Sequence, residues 1–487
     1  MDSVTRNDQK KPHVVFIPFP AQSHIKCMLK LAELLHHKGI HVTFINTRSN
    51  HKKLVESGGT PWLDDDSPGF VFKTVSDGPS SGAAEDGVEP VTPTMEEVWM
   101  HLANNFFDSF LDLVSGLKTP VTCIICDAFM TYTNTITAAE KLKIPIILFW
   151  TMAACGFMGF YQAKVLTDKG LLPLKDESYL TNGFLEMEID WIPGMEGYRL
   201  KDLPEHMLAT KMDDPGFKYL LKTAEAAHNV SYMIIHTFEE LEARLVNEIK
   251  TIFPNVYTVG PLQLLLNQIK EKENKRTSLG CYSLWREEPE CIQWLESKEP
   301  SSVVYVNFGS LAVMSLEDLI EFGWGLVNSG HEFLWIIRTD LVKGEPVVLP
   351  QELEEEMGKR GFIAKWCPQE DVLSQPSVGG FLTHGGWNSI IESLSVGLPM
   401  ICWPYYGDQR TNCRQMCKKW EVGMEIGKNV KRDEVEKLVR LLMDGSEGKR
   451  MKEKATQWKK MAEMATSSNG SSSLDIEKLA NLIINFS

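Results

Sequence analysis

Residues 366–409 read WCPQEDVLSQPSVGGFLTHGGWNSIIESLSVGLPMICWPYYGDQ, and their pattern decides the fold. Short apolar runs at 361–366, 378–383 and 398–403 each end in a turn carrying Pro or Gly, and helical spacing resumes near Glu370, at Trp387 and at Asp408–Gln409. Buried strands alternating with helices of this length imply a parallel sheet. Such sheets bind ligands beyond the carboxyl ends of their strands. The distinctive polar and aromatic residues all fall at that edge.

The middle unit carries the chemistry. Gly385 and Gly386 let the backbone approach a ligand, and the helix after them opens with unpaired N–H groups that favour an anion such as phosphate. His384, Asn388 and Ser389 can add donors. Glu392 lies one helical turn beyond Asn388, and a carboxylate there can accept from a ribose diol. Trp366 offers a flat surface to a nucleobase. These residues together describe a site for a nucleotide diphosphate.

Outward toward the amino terminus the same pattern repeats. HVVFIP, from His13 to Pro18, is a buried strand, and the loop after it leads to His24 and an amphipathic helix ended by Gly39. A histidine here is either a solvated helix-start residue or a base at the ligand edge. Strands are expected at 40–46, 121–126 and 144–149. Asp127, at the end of the second of these, is either a helix cap or the partner that holds the His24 imidazole in one tautomer. Thr151 is either structural or a ligand contact. Cys123 and Cys126 spell C-x-x-C, but within a strand a three-residue offset sends them to opposite faces, which suits core residues better than a metal or redox pair.

The run Asp64–Asp66 sits among Pro and Gly as a solvated loop, and residues 78–93 form a polar surface loop. Strands at 232–237 and 256–261 close a first domain, 1–261. Residues 262–290 turn charged and polar and are expected to be an interdomain linker. VVYVN at 303–307 opens a second domain, 291–470, with Gly309 and Ser310 set to meet a phosphate as the next helix begins. A strand at 333–338 follows. After Gln409 come helices to about Thr466, then a Ser/Gly break and a terminal segment, 471–487, with a helix from Leu474.

The chain's 487 residues and 43% apolar content fit two globular domains. A net charge of −15 disfavours a nucleic-acid surface. The polar amino terminus and the lack of a run of about 20 apolar residues disfavour a secretory signal or membrane span. Ten scattered cysteines suit a reducing, cytoplasmic setting. The dinucleotide fingerprint, the P-loop, the nucleophile elbow and the H-E-x-x-H motif are all missing.

The stretch 366–409, with W-x-P-Q at its start, H-x-G-W-N-S-x-x-E inside and D-Q at its end, resembles the signature box of plant family 1 UDP-glycosyltransferases. Gly385 stands where that family usually has Cys. FPAQSHIKCML resembles the family's P-A-Q-G-H-I-N-P-M-L segment, with Ser23, Lys26 and Cys27 departing from it. The resemblance implies a GT-B fold, two facing Rossmann-like α/β domains with the terminal helix folded back across their junction. It also implies an inverting, metal-independent transfer of glucose from UDP-glucose, used as donor substrate with no cofactor. His24 would be general base and Asp127 its orienter. Trp366 would meet uracil, Gln369 and Glu392 the ribose, and Ser310, His384, Asn388 and Ser389 the phosphates. Thr151, Trp387, Asp408 and Gln409 would hold the sugar. The segments FIPFPAQSHIKCMLKLAELLHHKG, TMAACGFMGFY, PGMEGYRLKD and GPLQLLLNQI resemble the group 85 branch of that family, which implies a steviol-like diterpenoid or other terpenoid acceptor. A flavonoid or phenolic acceptor, and a non-catalytic UDP-sugar-binding protein, are the alternatives. A monomer is expected.

Overall fold

The computed structural model describes residues 11–58, 69–76, 95–272, 282–343 and 348–487. The Asp64–Asp66 run and the loop at 78–93 lie outside the described residues.

Two parallel sheets organise the chain. The first contains β1 (His13–Ile17), β2 (His41–Thr47), β3 (Phe70–Val75), β4 (Cys123–Asp127), β5 (Ile146–Trp150), β6 (Tyr232–Ile235) and β7 (Val256–Thr258), in the order β3-β2-β1-β4-β5-β6-β7. The second contains β8 (Val303–Asn307), β9 (Glu332–Ile336), β10 (Gly361–Ala364), β11 (Val378–Thr383), β12 (Met400–Cys402) and β13 (Gly423–Glu425), in the order β10-β9-β8-β11-β12-β13. Central strands β1, β4 and β8 are buried along their whole length, as helices on both faces require. This is the two-sheet α/β architecture expected.

Each sheet reverses its strand order at one place. In the first, β1 pairs with both β2 and β4, with Val14 opposite Val42 and Cys123. In the second, β8 pairs with both β9 and β11, with Val304 opposite Phe333 and Gly380. Helices leave such neighbouring strands toward opposite faces and open a crevice at their carboxyl ends. His24 and Asp127 follow β1 and β4. Ser310 and His384 follow β8 and β11.

Side chains alternate along the strands. Val15, Ile17, Ile124 and Cys126 join one core cluster, whereas Val14, Phe16, Cys123 and Ile125 join another, so the C-x-x-C cysteines lie on opposite faces. The first cluster continues into the second half through Tyr305, Phe381, Trp387, Ile390 and Met400. Apolar packing is thus unbroken across the junction.

Several expectations need correction. Phe70–Val75 and Gly423–Glu425 are strands that the sequence pattern did not reveal. Residues 262–290, read as linker, begin with the helix Leu262–Lys272, whose Leu262, Leu265 and Leu266 pack into the core with Met28 and Leu35. The terminal helix is Ser471–Asn485, three residues earlier in its start than expected. Its Asp475 Oδ2 accepts from the N–H and hydroxyl of Thr258 at 2.9 and 3.2 Å, and Ile476, Leu479 and Ile483 pack against the first sheet's core. Among the described residues no helix is long and apolar enough to cross a membrane.

Candidate functional site

His24 stands in the first turn of the helix Gln22–His37, directly beyond β1. Its Nδ1 lies 2.7 Å from Asp127 Oδ2 and 2.9 Å from the Thr151 hydroxyl at the end of β5. Asp127 Oδ1 accepts the backbone N–H of Phe129 at 2.9 Å and caps the short helical turn Ala128–Thr133. One fully buried carboxylate therefore both caps that turn and meets the imidazole. With Nδ1 turned to that carboxylate, Nε2 is the ring atom left to take a proton. Phe19 and Phe129 flank the imidazole at 5.2 and 5.4 Å, the latter edge-on. Tyr219 stacks on Phe129 and meets Tyr132 edge-on, so an aromatic wall extends away from His24.

The loop bearing Thr151 is fixed by Glu242, a residue the sequence reading passed over. Its carboxylate accepts the N–H groups of Ala154 and Cys155 at 2.8 Å each, which are unpaired donors at the start of the helix Ala154–Tyr161. The Thr237 hydroxyl donates to the same carboxylate at 2.6 Å. Burial raises the Glu242 pKa, and these donors offset part of that rise.

On the facing sheet Gln369 is the centre of a network. Its side-chain oxygen accepts from the Tyr305 hydroxyl at 3.1 Å and the Asn307 amide at 2.9 Å. Its amide donates to Ser389 Oγ at 3.2 Å and to Glu392 Oε2 at 2.8 Å. Gln369, Ser389 and Glu392 are thus brought together. His384 sits between two glycines, where a Cβ on either Gly309 or Gly386 would fall 2.4 Å from its Nε2. Burial, reinforced by the charge of Arg338, lowers its pKa to about 4, so the ring is neutral at pH 7. Arg338 donates to the Gly309 and Ala312 carbonyls and holds the turn after β8. Ser310 lies in that turn. It does not begin the next helix, which starts at Leu316 behind the cap Ser315. Gly385 has φ +79, and a Cβ there would lie 2.6 Å from Cys402 Sγ, so a cysteine thiol fills the space that a larger residue at 385 would need.

Other expected ligand residues are engaged within the protein. Trp366 stacks on Trp285 at 4.8 Å. The Trp387 indole is buried and donates to the carbonyl of His236, beyond β6 of the first sheet. Gln409 Oε1 accepts the N–H groups of Tyr405 and Tyr406 at 2.8 Å each. Asp408 accepts from Asn412 Nδ2 at 3.0 Å, approaches Gly156 of the first half, and has its pKa pushed up by burial to about 6.

The two edges touch. Asn388 Nδ2 donates to the Ser23 carbonyl at 2.8 Å, one residue before His24. Lys26 Nζ reaches Glu370 at 2.6 Å and Glu392 at 2.8 Å, and Lys30 reaches Glu370 at 2.5 Å. A histidine–carboxylate pair thus faces a polar helix amino terminus across one crevice. That arrangement can deprotonate a hydroxyl on one side and receive an anionic leaving group on the other.

The chain is similar to known proteins in sequence and in fold. The family model described as UDP-glucoronosyl and UDP-glucosyl transferase matches residues 21–457. UDP-glycosyltransferase 85C1 of Stevia rebaudiana is 68% identical over 99% of each chain. The 7-deoxyloganetin glucosyltransferase of Catharanthus roseus is 49% identical, also over 99% of each. The crystal structure of UDP-glucose: anthocyanidin 3-O-glucosyltransferase in complex with UDP superposes with a TM-score of 0.79 at 28% identity, covering 98% of this chain and 99% of that one.

Proposed function

The chain belongs to the UDP-glucoronosyl and UDP-glucosyl transferase family, and from that membership we propose that it glucosylates a hydroxyl or carboxyl of a small lipophilic plant metabolite, a steviol-like diterpenoid or other terpenoid. The observation that carries the reading is the His24–Asp127 pair, 2.7 Å apart at one switch point, facing the Gln369–Ser389–Glu392 network and His384 at the other. Residues 1–261 take the acceptor and 291–470 the donor, joined by 262–290 and by the terminal helix.

In this reading His24 Nε2 removes the acceptor proton as the acceptor oxygen attacks the anomeric carbon. The bond from that carbon to the UDP oxygen breaks on the opposite face, which inverts its configuration. Asp127 keeps the proton on Nδ1 and stabilises the charged ring. Base catalysis of this kind contributes roughly 10²- to 10⁴-fold. Ser310, His384, Asn388, Ser389 and the helix amino terminus at Trp387 receive the departing diphosphate. His384, neutral at pH 7, meets it through a ring N–H and adds no full charge. Gln369 and Glu392 hold the ribose and Trp366 the uracil. Thr151, Trp387, Asp408 and Gln409 surround the glucose, the Thr151 hydroxyl turning from His24 as the sugar arrives. No cofactor enters, and the enzyme works as a cytoplasmic monomer.

The aromatic wall of Phe19, Phe129, Tyr132 and Tyr219 beside His24 supports an apolar ring system as acceptor. The relative named for 7-deoxyloganetin supports a terpenoid over a phenolic. The fold likeness to an anthocyanidin glucosyltransferase keeps flavonoids as the second reading. The test is incubation with UDP-glucose and separate terpenoid and phenolic panels, following UDP release and product mass. Terpenoid glucosides are expected. Products from phenols alone would favour the second reading, and UDP binding without any turnover would favour a non-catalytic binder.

A further inference from the structure

The structure gives Lys26 two carboxylate partners from the other half of the chain. Its ammonium lies 2.8 Å from Glu392 Oε1 and 2.6 Å from Glu370 Oε1. Lys26 belongs to the helix that starts the first half, whereas both carboxylates belong to the second. The Glu392 side chain is only 4% exposed, and its other oxygen accepts from Gln369 at 2.8 Å. Each carboxylate oxygen is thus engaged once and keeps one acceptor position. Burial works against the Lys26 charge, yet the two carboxylates outweigh it and hold the ammonium ionised. Lys30, one turn further along the same helix face, neutralises Glu370, so the four groups carry no net charge.

We propose that Lys26 is a positioning residue for the donor: its ammonium, reaching across the junction, fixes the Glu392 carboxylate in the orientation that accepts the ribose diol. The inference rests on the reading of Glu392 as ribose ligand. A carboxylate held at one oxygen by Gln369 and at the other by Lys26 is fixed in orientation at both ends. Without Lys26 only Gln369 holds it, and the other oxygen loses its partner. Donor grip then depends on a residue of the acceptor-binding half, so ribose recognition reports that the crevice is closed.

The experiment measures binding of UDP and of 2′,3′-dideoxyuridine diphosphate by calorimetry, to wild type, Lys26→Met and Lys26→Gln. Wild type is expected to prefer UDP. Lys26→Met is expected to lose about tenfold or more on UDP and little on the dideoxy compound. Lys26→Gln, which keeps a hydrogen-bond donor, should fall between, and it carries the comparison if thermal scans show Lys26→Met unfolded. Equal losses on both nucleotides would mean a structural or purely charge-neutralising role and would overturn the proposal, as would no loss on either. A wild type that binds both nucleotides alike would overturn the ribose assignment of Glu392 and the role of Lys26 with it.

Discussion

Asp127 holds His24 and the backbone of Phe129 at once, one carboxylate oxygen on the imidazole at 2.7 Å and the other on the N–H at 2.9 Å. Replacing it by Asn keeps the shape but puts an amide N–H where one acceptor stood. If that N–H faces His24, the ring must turn its proton to Nε2 and cannot act as base there. Asp127→Asn should lower kcat by roughly 10²- to 10⁴-fold with UDP affinity near that of wild type. Initial rates of UDP release together with calorimetry check this. Wild-type turnover in the variant would remove Asp127 from the mechanism.

Gly386 has φ −63, a value any residue adopts, so an added methyl acts there only through what it meets. It would meet His384 Nε2 at 2.4 Å. Gly386→Ala should therefore displace the imidazole and weaken UDP binding by about tenfold, with the thermal midpoint little changed. UDP titration measures the loss. Unaltered affinity would place His384 outside the diphosphate's path.

Glu242 satisfies three buried donors near the site: two backbone N–H groups and the Thr237 hydroxyl. Truncation to Ala leaves them without an acceptor, at a cost of about 1–3 kcal/mol for each such group left dry. A midpoint several degrees below wild type is expected, along with reduced kcat, because the Thr151 loop loses its anchor. Glu242→Gln keeps one acceptor and should lie between. Calorimetric scans and initial rates on the three proteins decide it.

Asp408 has a folded-state pKa of about 6, raised by burial above the ordinary 3.8. Below pH 4 it is protonated whether the chain is folded or not, and its burial is then favoured. As pH rises toward 6 the unfolded chain ionises first, so this group's stabilisation is lost across that window. Above it, the ionised form costs up to roughly 3 kcal/mol. Asp408→Asn lacks this titration and can still accept from Asn412. Its midpoint relative to wild type should rise between pH 4 and 7, and a constant difference would contradict the assignment.

The strands that build the crevice could be read from sequence because they are buried on both faces and so are apolar without interruption, as in β1, β4 and β8. Strand β3 is hard to read from sequence because it is an edge strand with exposed Val71 and Lys73, which breaks the apolar run. Strand β13 has three residues and no fully buried one. His24, Asp127 and His384 were visible because strand ends project them toward a ligand. Lys26 and Glu242 were not, since their partners lie far along the chain and only folding brings them together. The helix at Leu262–Lys272 was hidden by the charged residues after it, although its leucines keep helical spacing. Ser310 does not open the next helix because Ser315 is the residue that caps it.

The chain passes between the two halves twice, once after β7 and once before the terminal helix, and these passages are bonded to each other. Gln268 Nε2 donates to the Thr466 carbonyl at 2.7 Å, and the Ser472 hydroxyl donates to the Gly260 carbonyl at 2.5 Å. Two separate connections would act as a pair of hinges and confine motion to a single axis. Stitched together, and backed by apolar packing that is unbroken across the junction, they fasten the two halves at one place.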